Sequence, residues 1–310
     1  MSGLTLRQSR IRLSEAGKIW SEIWSEIENP NPFLSFDWFE VLVFNILKID
    51  PEAFIFYDGN RPVGLLLARI EADIIKLFGD EQITDFNGLL YLPGYEDGIV
   101  RVLHRHLQKF RLDFFPLLDE DPLVRFLPVY LRDVTIEDCD PCPVITLPPD
   151  WDGYLKLLTG RDRHELRRKL KRGANLRLRP AQPDEVAILF EHMARSDEEK
   201  ERFLTPEIKA FFKDIASRFE KKGWLRYRIL NLGKRPIGSI FSFQIQNRVY
   251  VYNMGFDPGY QGLSPGIVMI AHDIRAAISE GFCSYDFLRG DEGYKLKLGA
   301  KIRWTKRLRR

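Results

Sequence analysis

Apolar and polar positions follow two rhythms along this chain, one helical and one alternating, and they recur in the same order in each half. Residues 10–27 and 35–47 carry apolar side chains at helical spacing, with Ser35 the expected N-cap ahead of Trp38, Phe39 and Leu42. Residues 53–57 read as a strand, Asp58-Gly59-Asn60 as a hairpin turn and residues 62–70 as the returning strand. Two more short strands are predicted, then Leu92-Pro93-Gly94, a helix through Ile99, Leu103, Leu107 and Phe110, and a strand at residues 112–114.

The second half repeats this order. Strands are predicted at 225–230, 236–245 and 249–256, then Ser264-Pro265-Gly266, a helix and a strand at 285–287. Three short matches fall at nearly the same separation: Arg61-Pro62-Val63-Gly64 with Arg235-Pro236-Ile237-Gly238, Leu92-Pro93-Gly94 with Ser264-Pro265-Gly266, and Asp113-Phe114 with Asp286-Phe287. A constant separation and a shared element order point to a tandem duplication. The expected organisation is an N-terminal domain over 1–140, a proline-rich linker over 141–150 and a C-terminal domain over 151–310, with helices at 161–172, 184–195 and 206–221. Helices, then an antiparallel meander, then a helix and a final strand make an α/β (α+β) chain, not a doubly wound sheet. No dinucleotide, P-loop, serine-hydrolase or zincin motif is present.

Composition narrows the classes further. The 310 residues are 45% apolar and 29% charged, enough for substantial cores. A net charge of +3 does not mark a nucleic-acid protein, although arginine and lysine concentrate in 161–172 and 301–310. The second of these runs reads as a basic edge strand with a solvated end. Cys139 and Cys142 form a C-x-x-C with no partner pair, and three cysteines suit a reducing compartment. With no apolar run of membrane-spanning length and no secretory hydrophobic region, a cytoplasmic location is expected, and no metal.

The chemistry concentrates where a strand hands over to a helix, in Gln261-Gly262-Leu263-Ser264-Pro265-Gly266. Ser264 is a favoured N-cap residue, and Pro265 suits the first helical position. Ile267, Ile270, Ala271, Ile274, Ala277 and Ile278 make one apolar stripe. The flexible Gly262 lets the chain curl so that amides and the positive helix end converge on a phosphate. An ordinary capped helix is the alternative.

This hexapeptide resembles the [QR]-x-x-G-x-[GA] loop of GCN5-related N-acetyltransferases (GNAT), with Ser264 in place of the central glycine. Over a longer span, 255–266 and 285–299 resemble the CelD-type (BioF2-like), FemAB-related branch of that superfamily, as do 161–169 and, near the N-terminus, 31–38. The resemblance implies tandem GNAT-like domains, each a mixed, mostly antiparallel sheet flanked by helices. It also implies acetyl-CoA or another acyl-CoA as co-substrate, held along Met254, Gly255, Phe256 and residues Gln261, Gly262, Leu263, Ser264, Pro265 and Gly266.

Acyl transfer needs a polarised carbonyl, a deprotonated amine and a stabilised thiolate. Backbone N–H groups around Asn253 to Gly255 are candidates for the first, with Gly255 also giving the thioester room. Asp286 is the candidate base or amine-orienting carboxylate, the alternative being an ion pair with Arg289. Tyr294 is placed to protonate the thiolate and Lys295 to hold an acceptor's carboxylate or phosphate; the first copy has no counterpart of either, so only the second is expected to be catalytic. Arg163, Arg167 and Arg168 on the basic helix, with Tyr252 and Arg289, are candidates for binding the acceptor, a small anionic or sugar-type amine, with polysaccharide or cell-envelope synthesis implied by the resemblance. Two rivals remain: a FemAB-like peptidyltransferase drawing on aminoacyl-tRNA, and an inactive acyl-CoA-binding scaffold. The sequence is silent on oligomeric state.

Overall fold

The computed structural model describes residues 6–28 and 30–310. The chain forms two compact units, one comprising the residues up to 141 together with 304–310, the other residues 142–303.

The first unit runs β1 (Leu6–Arg12), α1 (Gly17–Trp24), α2 (Phe36–Leu42), β2 (Glu52–Asp58), β3 (Arg61–Glu71), β4 (Ile74–Leu77), β5 (Leu90–Tyr91), α3 (Glu96–Leu107), β6 (Arg111–Leu117), α4 (Pro122–Tyr130) and β7 (Thr135–Thr146), which leads into the second unit. The helix expected over 10–27 yields its start to β1, because residues 6–12 pair in continuous register with β2. A complete backbone ladder outweighs a modest local helix preference. Ser35 caps α2 as expected, its hydroxyl accepting from the Trp38 N–H at 3.2 Å.

The second unit contains α5 (Trp151–Leu157), α6 (Gly160–Arg172), β8 (Leu176–Pro180), α7 (Val186–Ser196), α8 (Glu198–Phe203), α9 (Pro206–Lys221), β9 (Leu225–Leu232), β10 (Arg235–Ile245), β11 (Arg248–Phe256), α10 (Pro265–Ser279), β12 (Ser284–Asp286) and α11 (Tyr294–Lys297), and the chain closes with β13 (Lys301–Arg309). Its core joins Ile240, Val249, Ile270, Ile274 and Tyr285. Asp273, fully buried at the centre, is satisfied by Arg226 at 2.9 Å, Arg228 at 3.1 Å and the Tyr285 hydroxyl at 2.8 Å.

Both units carry the same mixed, mostly antiparallel sheet. In the first, β1, β2, β3 and β4 pair antiparallel in turn, β4 pairs parallel with β6, and β6 antiparallel with β13. In the second, β8, β9, β10 and β11 are antiparallel, β11 is parallel to β12, and β12 is antiparallel to residues 144–146 of β7. The same architecture is therefore written twice, the tandem arrangement expected from the sequence, with one twist: the strand that closes each repeat's sheet follows the other repeat in sequence.

Two expectations are corrected by that exchange. The proline-rich stretch after 140 is no free linker through 146. Pro141 and Pro143 lie in β7, where the Pro143 carbonyl accepts from the Phe287 N–H at 2.9 Å and no proline N–H is required. The basic run 301–310 is no solvated edge either. Residues 304–309 lie inside the first unit's sheet between β6 and β7. There Arg307 forks onto Asp113 at 2.6 Å, Lys306 meets Asp138 at 2.5 Å, and Arg310 meets Asp133 at 2.8 Å.

Candidate active site

The site is built where β11 outlasts its neighbour. β11 and β12 pair over three positions only, ending at Tyr250 and Asp286, while β11 continues to Phe256. Within that extension Phe241 of β10 faces Asn253 and Ser242 faces Val251, so Tyr252 is the extra residue of a β-bulge. The Asp257 N–H donates to the Ile237 carbonyl at 2.9 Å. Backbone groups in a strand alternate sides, so Asn253 and Gly255 point theirs to β10 while Met254 and Phe256 point theirs to the side β12 has left. The Met254 carbonyl confirms the phase, accepting from Lys200 Nζ at 2.9 Å.

This geometry corrects the reading of Gly255. A Cβ there would lie 2.3–2.5 Å from backbone atoms of His192 and Met193. The glycine lets α7 pack on β11, its amide faces β10, and the donor presented to the open side is Met254's.

Beside Met254 begins α10. Residues 258–263 form a 3-10 turn, and Ser264 follows in the left-handed region at φ 54° and ψ 51° with no side-chain capping bond, contrary to the cap expected. Pro265 has no N–H to satisfy, and the Gly266 and Ile267 amides find no acceptor among the described residues. The first turn carries no acidic side chain. Open space surrounds Gly262, and Arg172, at the end of α6, donates to its carbonyl at 3.0 Å. A Cβ on Gly266 would stand 3.4 Å from the Phe256 ring and 3.6 Å from Met254 Cε. Gln261 is exposed and accepts the Ser264 N–H on its carbonyl, while Leu263 packs on the core. The left-handed Ser264 thus does the work of a glycine, turning two unpaired amides and a positive helix end outward.

Tyr294 and Lys295 come to the same place. The Tyr294 hydroxyl donates to Met254 Sδ at 3.7 Å, and burial holds its pKa well above the ordinary tyrosine value. Lys295 is buried, with its ammonium 2.7 Å from Glu292 and within 3.5 Å of the Arg289 and Gly290 carbonyls. Arg289 therefore contributes a carbonyl here. Burial pulls the Glu292 carboxyl upward, but the hydrogen bond and charge of Lys295 outweigh it and hold the pKa low.

Asp286 does not present a free carboxylate. It is 3% exposed, one oxygen accepts the Leu288 N–H at 2.9 Å, and the other is held by Arg303 at 2.5 Å. Both oxygens are engaged, so the carboxylate anchors the strand end and the left-handed Leu288. Tyr252 turns its ring onto Phe212 and Phe243, with centroids 5.5 and 5.1 Å away. On α6, Arg168 is clamped by Glu165 at 2.7 and 2.8 Å, Arg163 reaches the Leu155 carbonyl at 3.4 Å, and Arg167 is exposed.

The residue that sequence reasoning missed is Lys200. Nothing in Glu198-Glu199-Lys200-Glu201-Arg202 distinguishes it, because its role is tertiary: α8 carries its ammonium across to β11. Burial lowers its pKa, with Asp197 and Glu292 pulling the other way. No cluster of metal-ligating side chains occurs among the described residues.

Residues 160–296 match the family model described as an acetyltransferase (GNAT) domain. Among solved structures the chain is similar to FemX, at 11% identity and TM-score 0.68, with 97% of this chain and 96% of that chain covered. It is also similar to the C-terminal domain of a putative lysylphosphatidylglycerol synthetase from Agrobacterium fabrum, at 10% identity and TM-score 0.61, covering 96% of this chain and 92% of that one. A tandem GNAT protein from the clavulanic acid biosynthesis pathway matches at 12% identity and TM-score 0.52, with 98% of both chains covered. No curated protein matches the chain significantly in sequence.

Proposed function

We propose that the second unit, whose residues 160–296 match the acetyltransferase (GNAT) domain model, transfers an acyl group from acyl-CoA to the amino group of a small anionic or sugar-type acceptor. One observation carries this reading: the open edge of β11 at Met254 lies next to the uncapped, acid-free first turn of α10. Such an edge offers a pantetheine arm backbone partners, and such a turn offers a pyrophosphate amides and a favourable dipole.

Acyl-CoA supplies the thioester. The acceptor amine attacks its carbonyl carbon, the oxygen takes up negative charge, and the Met254 N–H is the donor on that side. Lys200 receives the amine's proton, a role that burial favours by lowering its pKa. The carbon–sulfur bond breaks, the Tyr294 hydroxyl, kept protonated by its raised pKa, donates a hydrogen bond to the leaving thiolate, and the thiolate takes a proton from solvent as Lys200 returns its own to solvent. Lys295 steadies an anionic group of the acceptor, and the first unit does no chemistry.

Thermal unfolding with and without CoA and acetyl-CoA tests the reading. At ~100-fold over its dissociation constant a ligand adds about 2.7 kcal/mol to the folded state. The wild type should show that shift and Gly266→Glu should lose it; a wild type indifferent to both ligands sinks the proposal. A second reading, a tRNA-borne donor, is favoured by the exposed cations along α6. It expects no CoA shift and an RNA affinity that falls steeply with salt.

A further inference from the structure

The second unit exposes three large apolar side chains among the described residues, and all three gather around one turn. Leu157 is 52% exposed, Leu296 47% and Ile302 44%. Leu157 Cβ lies 3.9 Å from where a Cβ on Gly299 would stand, the Gly299 N–H donates to the Leu296 carbonyl at 2.9 Å, and Ile302 follows three residues on. The rest of this unit keeps its large apolar residues covered, so the concentration marks a surface built to meet something apolar.

Its surroundings say what. A hollow of about 720 Å³ is lined by Arg161, Asp162, His164, Glu165, Lys169 and Lys297, the last being the neighbour of Leu296. Its two acids are already engaged: Glu165 by Arg168 and Lys169, and Asp162 by the Thr159 hydroxyl at 2.6 Å. Arg161 and Lys297 have no acidic partner among the described residues, and exposed Lys156 and Lys301 stand in sequence beside two of the apolar residues. Aliphatic side chains set among cations match the boundary of an anionic bilayer, where acyl chains meet phosphate. Single-stranded nucleic acid would call for a row of stacking aromatics; the exposed ring that follows in sequence is Trp304, two residues beyond Ile302 and 41% exposed, and an indole suits the boundary of a bilayer. No helix among the described residues is long and apolar enough to cross a membrane, so the contact would be peripheral.

We propose that the second unit docks on anionic lipid bilayers through Leu157 and Leu296, with Arg161 and Lys297 pairing lipid phosphates. The inference stands apart from the acyl-CoA reading, since none of these residues belongs to the site around Met254.

Sedimentation of the full chain with vesicles of phosphatidylcholine alone, or with phosphatidylglycerol added, tests it. The expected result is binding to the mixed vesicles only. Arg161→Gln with Lys297→Gln should weaken it by about fivefold per cation, and Leu157→Asn with Leu296→Asn by at least about tenfold. The melting temperature and the CoA-induced shift, followed in parallel, should be unchanged in both double variants, which separates lost docking from lost folding or lost cofactor binding. Equal binding to both vesicle types, binding to neither, or full binding by either double variant overturns the proposal. So does tighter binding to single-stranded RNA that the cation variant loses and the leucine variant keeps.

Discussion

The two units place the same parallel strand pair in their sheets and treat it in opposite ways. β4 and β6 pair over three positions and then part, as β11 and β12 do. In the first unit the parting is stitched: the Asn87 N–H donates to the Pro116 carbonyl at 2.7 Å and its side-chain amide to the Phe78 carbonyl at 3.0 Å. The void left among Lys76, Leu77, Asn87, Asp113 and Phe115 is about 10 Å³, space for no more than about one water. The helix after it, α3, opens with Glu96 and Asp97, whose charges take the dipole a phosphate would need. In the second unit α10 opens with Pro265, Gly266 and Ile267 and no acid in its first turn. One scaffold thus yields a sealed copy and an open one through a bridging asparagine and two carboxylates.

Breaking the open copy should have the largest effect. Lys200→Met is expected to lower kcat by about 10²- to 10⁴-fold, read in steady-state kinetics, with the CoA-induced thermal shift retained. The pH profile adds a sign. Lys200 must be neutral to accept a proton and burial depresses its pKa, so wild-type kcat should rise with pH and level off below the ordinary lysine range of about 10.4. The variant should lack that limb; an unchanged profile would remove Lys200 from the chemistry.

Asp286 and Asp113 sharpen the comparison at lower cost. They occupy equivalent third positions, opposite Tyr250 and Lys76, and each is held by an arginine of β13, Arg303 and Arg307. A carboxylate treated alike in the sealed and open copies belongs to the architecture. Asp286→Asn should therefore cost about 1–3 kcal/mol in chemical denaturation, because it weakens a buried charge-assisted bond, while kcat of the folded enzyme stays within a few-fold. A loss of a hundredfold or more would restore Asp286 as the base. Asp113→Asn, half-buried, should cost only about 1 kcal/mol or less and leave kinetics untouched.

Much of this was legible along the chain. The period-2 meanders, the Ser35 cap and the duplicated motifs follow from local rules, and they located α10 and β11. The site's working details did not, because each depends on what packs from afar. Gly255 answers to α7, Ser264 is held left-handed by the turn before it, and Lys200 arrives from a helix with no distinguishing pattern. The fate of the basic C-terminal run was half visible: Glu137 and Asp138 on β7 are the complement of Lys306 and Arg309, but only pairing across the chain reveals the match.

The exchanged closing strands bear on synthesis. Domains generally begin folding N-terminal first as the chain emerges, yet here the first unit's sheet stays open beside β6 until β13 has been made, after every residue of the second unit. The ribosome therefore delivers an unfinished first unit and holds it so throughout translation of the second, with the edge of β6 unpaired. An unpaired strand edge is a template for pairing with other chains, and the arrival of residues 304–309 covers it.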